Sequence, residues 1–160
     1  MDLFLDETKK FLLLLLKEEV EFIVIGGYAV IYHGYERVTA DMDLLINPDD
    51  INKEKLLKTF REFGILEEDI ALVKNLDFNK PQVFHIGVMP NKIDFLTRIA
   101  GVTFAEANEK KILLPLMDQQ IPILQLEHLV TNKMLSERLK DKADVEELQK
   151  ILRFKKNPDS

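Results

Sequence analysis

The first part of the chain changes from a helical pattern of apolar residues to a continuous apolar run. Residues 3–20 carry apolar side chains at helical spacing among lysines and glutamates, which predicts an amphipathic helix. The run Phe22–Ile25 is apolar throughout and contains β-branched residues, as is typical of a strand buried on both faces. Gly26 and Gly27 close this predicted strand.

The next stretch alternates between helical and extended patterns. A short helix is predicted over residues 28–34, with Gly34 at a C-cap position. The sequence DMDLLIN, residues 41–47, predicts a second strand, and residues 49–63 show an amphipathic helical pattern. Residues 65–80 give no clear pattern, so no element is predicted there.

The second half of the chain predicts two hairpins and two final helices. PQVFHIGV and KIDFLT flank residues 89–91, which favours an antiparallel strand pair around a short turn. KILLPLM and IPILQ flank residues 118–120 and predict a second hairpin, whose prolines favour edge positions. Helices are predicted at about 126–139 and 141–153. We therefore expect an α/β (α+β) fold in which a mixed sheet of five or six strands is flanked by helices.

Length and composition are consistent with one globular domain. The chain has 160 residues, of which 46% are hydrophobic, and this is enough to bury a substantial core. We expect a single domain over residues 1–160, with the sheet within about 20–125 and the C-terminal helices at about 126–153. The formal net charge of -6 argues against a surface built mainly to neutralise nucleic-acid phosphates, because that affinity depends on clustered lysines and arginines.

The sequence lacks cysteine, and it also lacks a long apolar run near its N-terminus; each absence excludes a class of site or of protein. The chain contains no cysteine, which excludes disulfides, thiolate catalysis and cysteine-based metal sites. Its longest apolar run near the N-terminus, residues 11–16, is much shorter than the roughly 20 residues needed to span a bilayer. Asp2 and Asp6 do not fit a signal peptide, so we expect a cytoplasmic protein that makes no membrane contact.

Three aspartates predict a metal site. Side chains alternate along a strand, so Asp41 and Asp43 share one face, with their Cα atoms about 7 Å apart. Carboxylates at that separation can converge on one divalent ion or hold two, and oxygen ligands suit Mg²⁺. Taken alone, an Asp-x-Asp at the start of a strand is more often two solvated acids. Asp94, however, lies between apolar Ile93 and Phe95, where a carboxylate is unfavourable unless it is paired or metal-bound.

The glycine pair has two interpretations. Gly26 and Gly27 follow a predicted buried strand and precede a helix, so their backbone N–H groups are placed to face an anion, and a phosphate can approach where no Cβ is present. The alternative is a tight strand-to-helix turn that requires glycine torsions, which is the commoner case in isolation. Neither a P-loop nor a GxGxxG dinucleotide fingerprint follows.

Taken together, GGYAVIYHGYERVTADMDLLI followed by KIDFL resembles the nucleotidyltransferase superfamily. The pattern of that superfamily is an apolar strand, Gly-Gly or Gly-Ser, a short helix, an Asp-x-Asp strand and a later strand that carries an acid. The Gly-Gly-x-Ala variant, the Arg-x-Thr-x-Asp-x-Asp stretch and the C-terminal KMLSERLKDKADVEEL are most similar to the minimal nucleotidyltransferases and the abortive-infection (AbiEii-like) toxin enzymes. The resemblance covers most of residues 20–150 and implies that residues 20–125 form the catalytic core.

The resemblance also implies roles for the motif residues. Gly26 and Gly27 would seat the triphosphate, Asp41 and Asp43 would bind the metal ions, and Asp94 would be the third carboxylate, which activates an acceptor hydroxyl. The implied reaction transfers a nucleoside monophosphate from a nucleoside triphosphate to that hydroxyl and releases pyrophosphate, with Mg²⁺ or Mn²⁺ as the cofactor.

Several features of the predicted function stay open at this level. A tRNA, a protein or a small molecule could all be the acceptor, and both a partner protein, as in toxin–antitoxin systems, and a homo-oligomer are compatible with the sequence. A hypothesis from another class is a catalytically silent module that binds a nucleotide or a partner through the same fold.

Three polar residues outside the acidic motif are further candidates for the nucleotide site. Arg37 and Thr39 lie in the loop before the Asp-x-Asp strand, where they either orient phosphate or stabilise the loop. Lys133 lies on the apolar side of its predicted helix, so it either finds a partner or extends outward to solvent. That partner is either a nucleotide phosphate, as the resemblance implies, or Glu137 at i+4.

The remaining charged and aromatic-nitrogen side chains are expected to be structural. Arg138, Asp141 and Asp144 match the C-terminal pattern of the family, but helix capping or salt bridges between helices are the expected roles. His33, His85 and His128 are not spaced as metal ligands, so satisfied structural histidines are expected there.

Overall fold

The computed structural model describes residues 3–39, 41–136 and 139–156. The helices in this part of the chain are α1 (Asp6–Lys17), α2 (Gly26–Tyr32), α3 (Asp50–Phe63), α4 (Glu67–Lys74), α5 (Phe104–Glu109), α6 (Leu126–Met134) and α7 (Leu139–Lys156). The strands are β1 (Phe22–Ile25), β2 (Met42–Ile46), β3 (Val83–Ile86), β4 (Ile93–Leu96), β5 (Ile112–Leu116) and β6 (Gln119–Ile123).

The strands form one mixed sheet in the order β3-β4-β2-β1-β6-β5. β1 pairs with β2, β3 with β4 and β5 with β6 in antiparallel fashion, whereas β2 pairs with β4 and β1 with β6 in parallel. The predicted mixed α+β architecture is therefore confirmed. Both predicted hairpins are also confirmed, and the buried strand β1 lies where the apolar run placed it.

One face of the sheet is closed by an aromatic cluster. Phe95 of β4 packs against Phe11 of α1 and Phe60 of α3, with ring centroids 6.0 and 5.5 Å away. All three side chains are fully buried. Because side chains alternate along β4, Asp94 projects to the opposite face, away from this core.

The helix boundaries show which local signals acted as expected. Asp49 caps α3 by accepting a hydrogen bond from the Asn52 backbone N–H at 2.6 Å, and Gly64 ends the helix with a φ of 94°. α2 begins at Gly26 rather than at residue 28, so the glycine pair belongs to the first turn of the helix. α4 lies within the stretch for which no element was predicted.

The prediction that both hairpin prolines lie on an edge strand is half wrong. Pro115 lies in β5, which is the edge, but Pro122 lies in β6, between β5 and β1. β6 pairs with β1 through Ile123, the residue after Pro122. The pairing is short, so the N–H group that Pro122 lacks is not needed for a long ladder of hydrogen bonds.

The structure also bears on the membrane prediction. Among the described residues, no helix is both long enough and apolar enough to cross a bilayer.

Candidate functional site

Four side chains lie at the corners of a square on the sheet face opposite the aromatic cluster. Asp43 of β2 and Asp94 of β4 are direct register partners on neighbouring parallel strands. Asp41 and Lys92 precede them by two residues each, and the Met42 N–H donates to the Lys92 carbonyl oxygen at 3.3 Å, so the pairing extends to this level. Because residues i and i+2 share a face, all four project to the same side. We call Asp41, Asp43, Lys92 and Asp94 the acid square.

Lys92 bridges two of the three acids. Its Nζ lies 3.4 Å from Asp94 Oδ1 and 3.7 Å from Asp41 Oδ2. The negative charge of Asp94 is the largest influence on Lys92 and raises its pKa. Burial acts in the opposite direction, and the charge of Asp41 adds a smaller effect that also raises the pKa. The ammonium is therefore held in its charged form between the two carboxylates.

The pKa of Asp43 is shifted strongly by its surroundings in the acid square. Burial, followed by the charges of Asp94 and Asp41, raises the pKa of Asp43 to about 6. The ammonium of Lys133 acts in the opposite direction but does not cancel these effects. A carboxylate that is buried and surrounded by like charge is destabilised unless a cation joins it.

The glycine pair provides the space that this arrangement requires. A Cβ on Gly26 would lie 2.2 Å from Asp43 Oδ2, and the φ of Gly26 is +65°. A Cβ on Gly27 would lie 2.3 Å from Thr39 Oγ1 and 3.2 Å from Arg37 Nη2. The two glycines thus let the acid square and the loop before β2 approach the start of α2, a role that is independent of any phosphate.

The acid square offers oxygen ligands of the kind that divalent cations such as Mg²⁺ prefer. Three carboxylates on one face match the oxygen ligands of Mg²⁺, and Asp41 Oδ1 is buried without a hydrogen-bond partner. Within the described residues, no three acids or histidines are already arranged as a metal-binding group. Two of the three carboxylates, those of Asp41 and Asp94, contact the Lys92 ammonium instead.

A second cluster of charges lies beside the acid square and joins the loop before β2 to the last two helices. Lys133 Nζ contacts Asp141 Oδ1 at 2.7 Å and Asp144 Oδ2 at 3.1 Å. Arg37 Nη2 donates to Asp144 Oδ2 at 3.1 Å, and its Nε forms an ion pair with Oδ1 at 3.0 Å. Ser136 Oγ also donates to Asp141. We call Arg37, Lys133, Asp141 and Asp144 the charge quartet.

The charge quartet answers part of the question that the sequence left open about Lys133. The side chain is 5% exposed and contacts two aspartates of α7, as expected for salt bridges between helices. Glu137, the i+4 partner considered from the sequence, and Arg138 lie outside the described residues. Thr39 Oγ1 donates to the Asp41 carbonyl oxygen at 3.2 Å, which ties the same loop to the acid square.

A pocket of about 280 Å³ opens next to Asp43. Gly26 and Asp43 form one side, and Arg98, Asn132 and Lys133 form polar parts of the other. A larger pocket of about 540 Å³ lies between α4 and β3, but none of the three acids lines it. We take the pocket of about 280 Å³ as the candidate site because it is lined by Asp43, whose pKa is raised.

Two residues near the acids were missed by sequence reasoning. Lys92 was detectable, since Lys-x-Asp at the start of β4 has the same spacing as Asp-x-Asp at the start of β2. His85 is the register partner of Asp94 on β3 and is exposed, so it lies in the same row as Asp94 and Asp43. His33, by contrast, is buried with Nε2 2.7 Å from the Leu124 carbonyl oxygen, a structural contact of the kind expected.

Comparison with known proteins identifies the fold. No protein-family model and no curated protein matches the chain. Among solved structures, the lincosamide antibiotic adenylyltransferase LnuA bound to lincomycin aligns with a TM-score of 0.53 and 16% identity, over 91% of this chain and 96% of that one. A candidate nucleotidyltransferase from Thermotoga maritima aligns with a TM-score of 0.54 and 17% identity, over 91% and 89% of the two chains. The protein therefore has a nucleotidyltransferase-like fold, as the sequence predicted.

Proposed function

We propose that the protein is a metal-dependent nucleotidyltransferase that transfers a nucleoside monophosphate from a nucleoside triphosphate to an acceptor hydroxyl. The observation that carries this proposal is the acid square, in which Asp41, Asp43 and Asp94 share one face of adjacent, in-register strands. Its placement in a nucleotidyltransferase-like fold supports the same reaction class. The AbiEii-like subtype suggested by the sequence motifs belongs to this proposal as well.

The reaction is a single displacement at phosphorus. The acceptor oxygen forms a bond to the α-phosphorus, the bond from that phosphorus to the oxygen bridging to the β-phosphate breaks, and pyrophosphate leaves. Asp41, Asp43 and Asp94 would hold Mg²⁺ or Mn²⁺, which supplies charge neutralisation for the phosphates and acidifies the attacking hydroxyl. Asp94 would take up the proton of that hydroxyl, and the rest of the site would act by positioning and electrostatics.

The nucleotide would occupy the pocket beside Asp43. Gly26 lines this pocket beside Asp43, Gly27 follows it in the first turn of α2, and Lys133 is the cation whose charge reaches Asp43. Arg37 and Thr39 are engaged with Asp144 and with the Asp41 backbone. They would therefore act on the nucleotide mainly by holding the loop and Lys133 in place.

The acceptor would bind on the side of the acid square that faces the sheet edge, where His85 is exposed beside Asp94. LnuA is by its name an adenylyltransferase of lincosamide antibiotics, and the alignment covers 96% of its chain. A small hydroxylated molecule is therefore a suitable first acceptor to test. A tRNA or a protein hydroxyl, and a partner protein of the toxin–antitoxin kind, would be tested next.

A second function, nucleotide or partner binding without turnover, is favoured by one observation. Lys92 already contacts two of the three acids, and such an arrangement would suit a module that binds no metal. The two functions differ in whether the acids are needed for chemistry.

Transfer of a radioactive α-phosphate separates these functions. The protein is incubated with α-³²P-labelled nucleoside triphosphates, Mg²⁺ and each acceptor class, and Asp43→Asn is compared with Asp118→Asn, which changes an exposed turn residue in the same way. We expect the wild type and Asp118→Asn to label an acceptor, and Asp43→Asn to lose about 100-fold or more, as for other groups that act on the transition state. Label transfer that is absent, or equal in all three proteins, would favour the binding module.

A further inference from the structure

Lys92 differs from the other lysine near the acids in what holds it. Lys133 is buried and is bound at 2.7 and 3.1 Å by two aspartates of α7, outside the acid square. Lys92 is held at 3.4 and 3.7 Å by Asp94 and Asp41, which are two of the proposed metal ligands. Its side chain is 30% exposed, so the ammonium has a path to solvent.

An ammonium and a divalent ion cannot both use the same carboxylate oxygens at these distances. Mg²⁺ bonds oxygen ligands at about 2.0–2.1 Å and brings two positive charges to the place where the Lys92 ammonium now lies. At a separation of about 5 Å the two cations repel each other strongly. An ion that binds through the oxygens that Lys92 contacts therefore requires the ammonium to move.

We propose that Lys92 occupies a cation position of the acid square in the metal-free protein, and that a divalent ion binds Asp41 and Asp94 by displacing its ammonium. This inference rests on the proposed function, because it requires that the acids bind a metal. The ammonium partly neutralises three clustered carboxylates while the site is empty of substrate. Since phosphate oxygens are additional ligands for the ion, the exchange is favoured when metal and nucleotide arrive together.

Direct measurement of Mn²⁺ affinity tests the competition. Binding is followed by the electron paramagnetic resonance signal of free Mn²⁺ for the wild type, Lys92→Met and Lys110→Met. Lys110 is exposed and lies before β5, at the opposite edge of the sheet, so its replacement removes the same charge away from the acids. We expect Lys92→Met to bind Mn²⁺ about tenfold more tightly and Lys110→Met to stay within about twofold of the wild type. An unchanged or weaker affinity in Lys92→Met overturns the inference.

A crystal structure of the wild-type protein soaked in Mn²⁺ tests displacement itself. The anomalous signal of Mn²⁺ is expected at Asp41 and Asp94, with the Lys92 ammonium moved away from both carboxylates. An ion at these acids with Lys92 still contacting both of them contradicts displacement, even if Lys92→Met binds Mn²⁺ more tightly.

Asp43→Asn in the same binding assay distinguishes failure of this inference from failure of the proposed function. If the wild type binds Mn²⁺, Asp43→Asn does not, and Lys92→Met is no tighter, only the inference about Lys92 is wrong. If neither the wild type nor Lys92→Met binds Mn²⁺, the metal-dependent function and the inference are both wrong.

Discussion

The acid square and the charge quartet are neighbouring clusters that differ in net charge: carboxylates outnumber cations in the square, whereas the two are equal in number in the quartet. The quartet contains two cations and two carboxylates, and Lys133, Asp141 and Asp144 are almost completely buried. The square contains three carboxylates and one ammonium, leaves Asp41 Oδ1 without a hydrogen-bond partner, and raises the pKa of Asp43 to about 6. Because buried charges must be paired, the balanced cluster is suited to holding the fold together and the unbalanced one to receiving a cation.

The largest expected effect on stability comes from replacing Lys133 of the charge quartet, and the matching replacement of Lys92 in the acid square serves as the comparison. Lys133→Met removes the ammonium that both buried aspartates of α7 contact and should lower the free energy of unfolding by about 3–5 kcal/mol. Lys92→Met removes ion pairs of a partly exposed side chain and should change the free energy of unfolding much less. Urea denaturation monitored by circular dichroism measures both. Equal destabilisation by the two variants would remove the distinction between the clusters.

The next largest effect concerns the pH dependence of stability at Asp43. Since burial and the nearby acids raise the pKa of Asp43 from 3.8 to about 6, the folded state holds its proton more strongly than the unfolded state does. The contribution of this group to stability is fully present below about pH 3.8 and is lost as the pH rises through about 6, a change of about 3 kcal/mol.

Asp43→Asn should therefore be more stable relative to the wild type at pH 7.5 than at pH 4. Urea denaturation of both proteins at the two pH values gives this difference. A difference in stability that does not vary with pH would show that the carboxyl of Asp43 titrates normally.

Ligand binding should restore the charge balance of the acid square. A nucleoside triphosphate with Mg²⁺ at about 100 times its dissociation constant should raise the free energy of unfolding by about 2.7 kcal/mol. Thermal melts with each nucleotide, with and without Mg²⁺, measure the effect. Asp43→Asn is the control, since it should lose the Mg²⁺-dependent part of the shift. A shift that is independent of Mg²⁺ would favour the silent binding module.

The smallest effect on stability is expected from two glycine substitutions that differ in what the new Cβ meets. Gly26 and Gly64 both have positive φ, so alanine at either position should cost about 1–2 kcal/mol of strain. At Gly64 the Cβ meets nothing within 4 Å, whereas at Gly26 it would displace the Asp43 carboxylate. We expect nucleotidyl transfer and Mn²⁺ binding to fall only in Gly26→Ala. Equal retention of both in the two variants would show that the acid square tolerates the displacement.

Much of the candidate site was visible in local sequence patterns. The period of two in Asp41-x-Asp43, the apolar neighbours of Asp94 and the glycine pair after β1 each express a preference that acts over a few residues. The structure places all of these in one region. Their catalytic and metal-binding roles remain predictions.

The partners of the two lysines could not be predicted in the same way. For Lys133, helical spacing suggested Glu137, but α6 ends at Met134 and the contacts come from α7. For Lys92, the Lys-x-Asp spacing indicated that it shares a face with Asp94. Its contact with Asp41, however, depends on the pairing of β4 with β2. In both cases the residues that meet are on different elements of the chain.

The sequence by itself determined the elements and the chemistry available at the end of each strand, because side-chain alternation, glycine torsions and helix caps depend on short stretches of chain. The tertiary structure decided which charges face each other. The register that sets Asp43 beside Asp94, and the packing of α7 against α6 that gives Lys133 its aspartates, join residues distant in sequence. These pairings depend on burial and long-range contacts, and they distinguish a cluster that is already neutral from one that can still bind a cation.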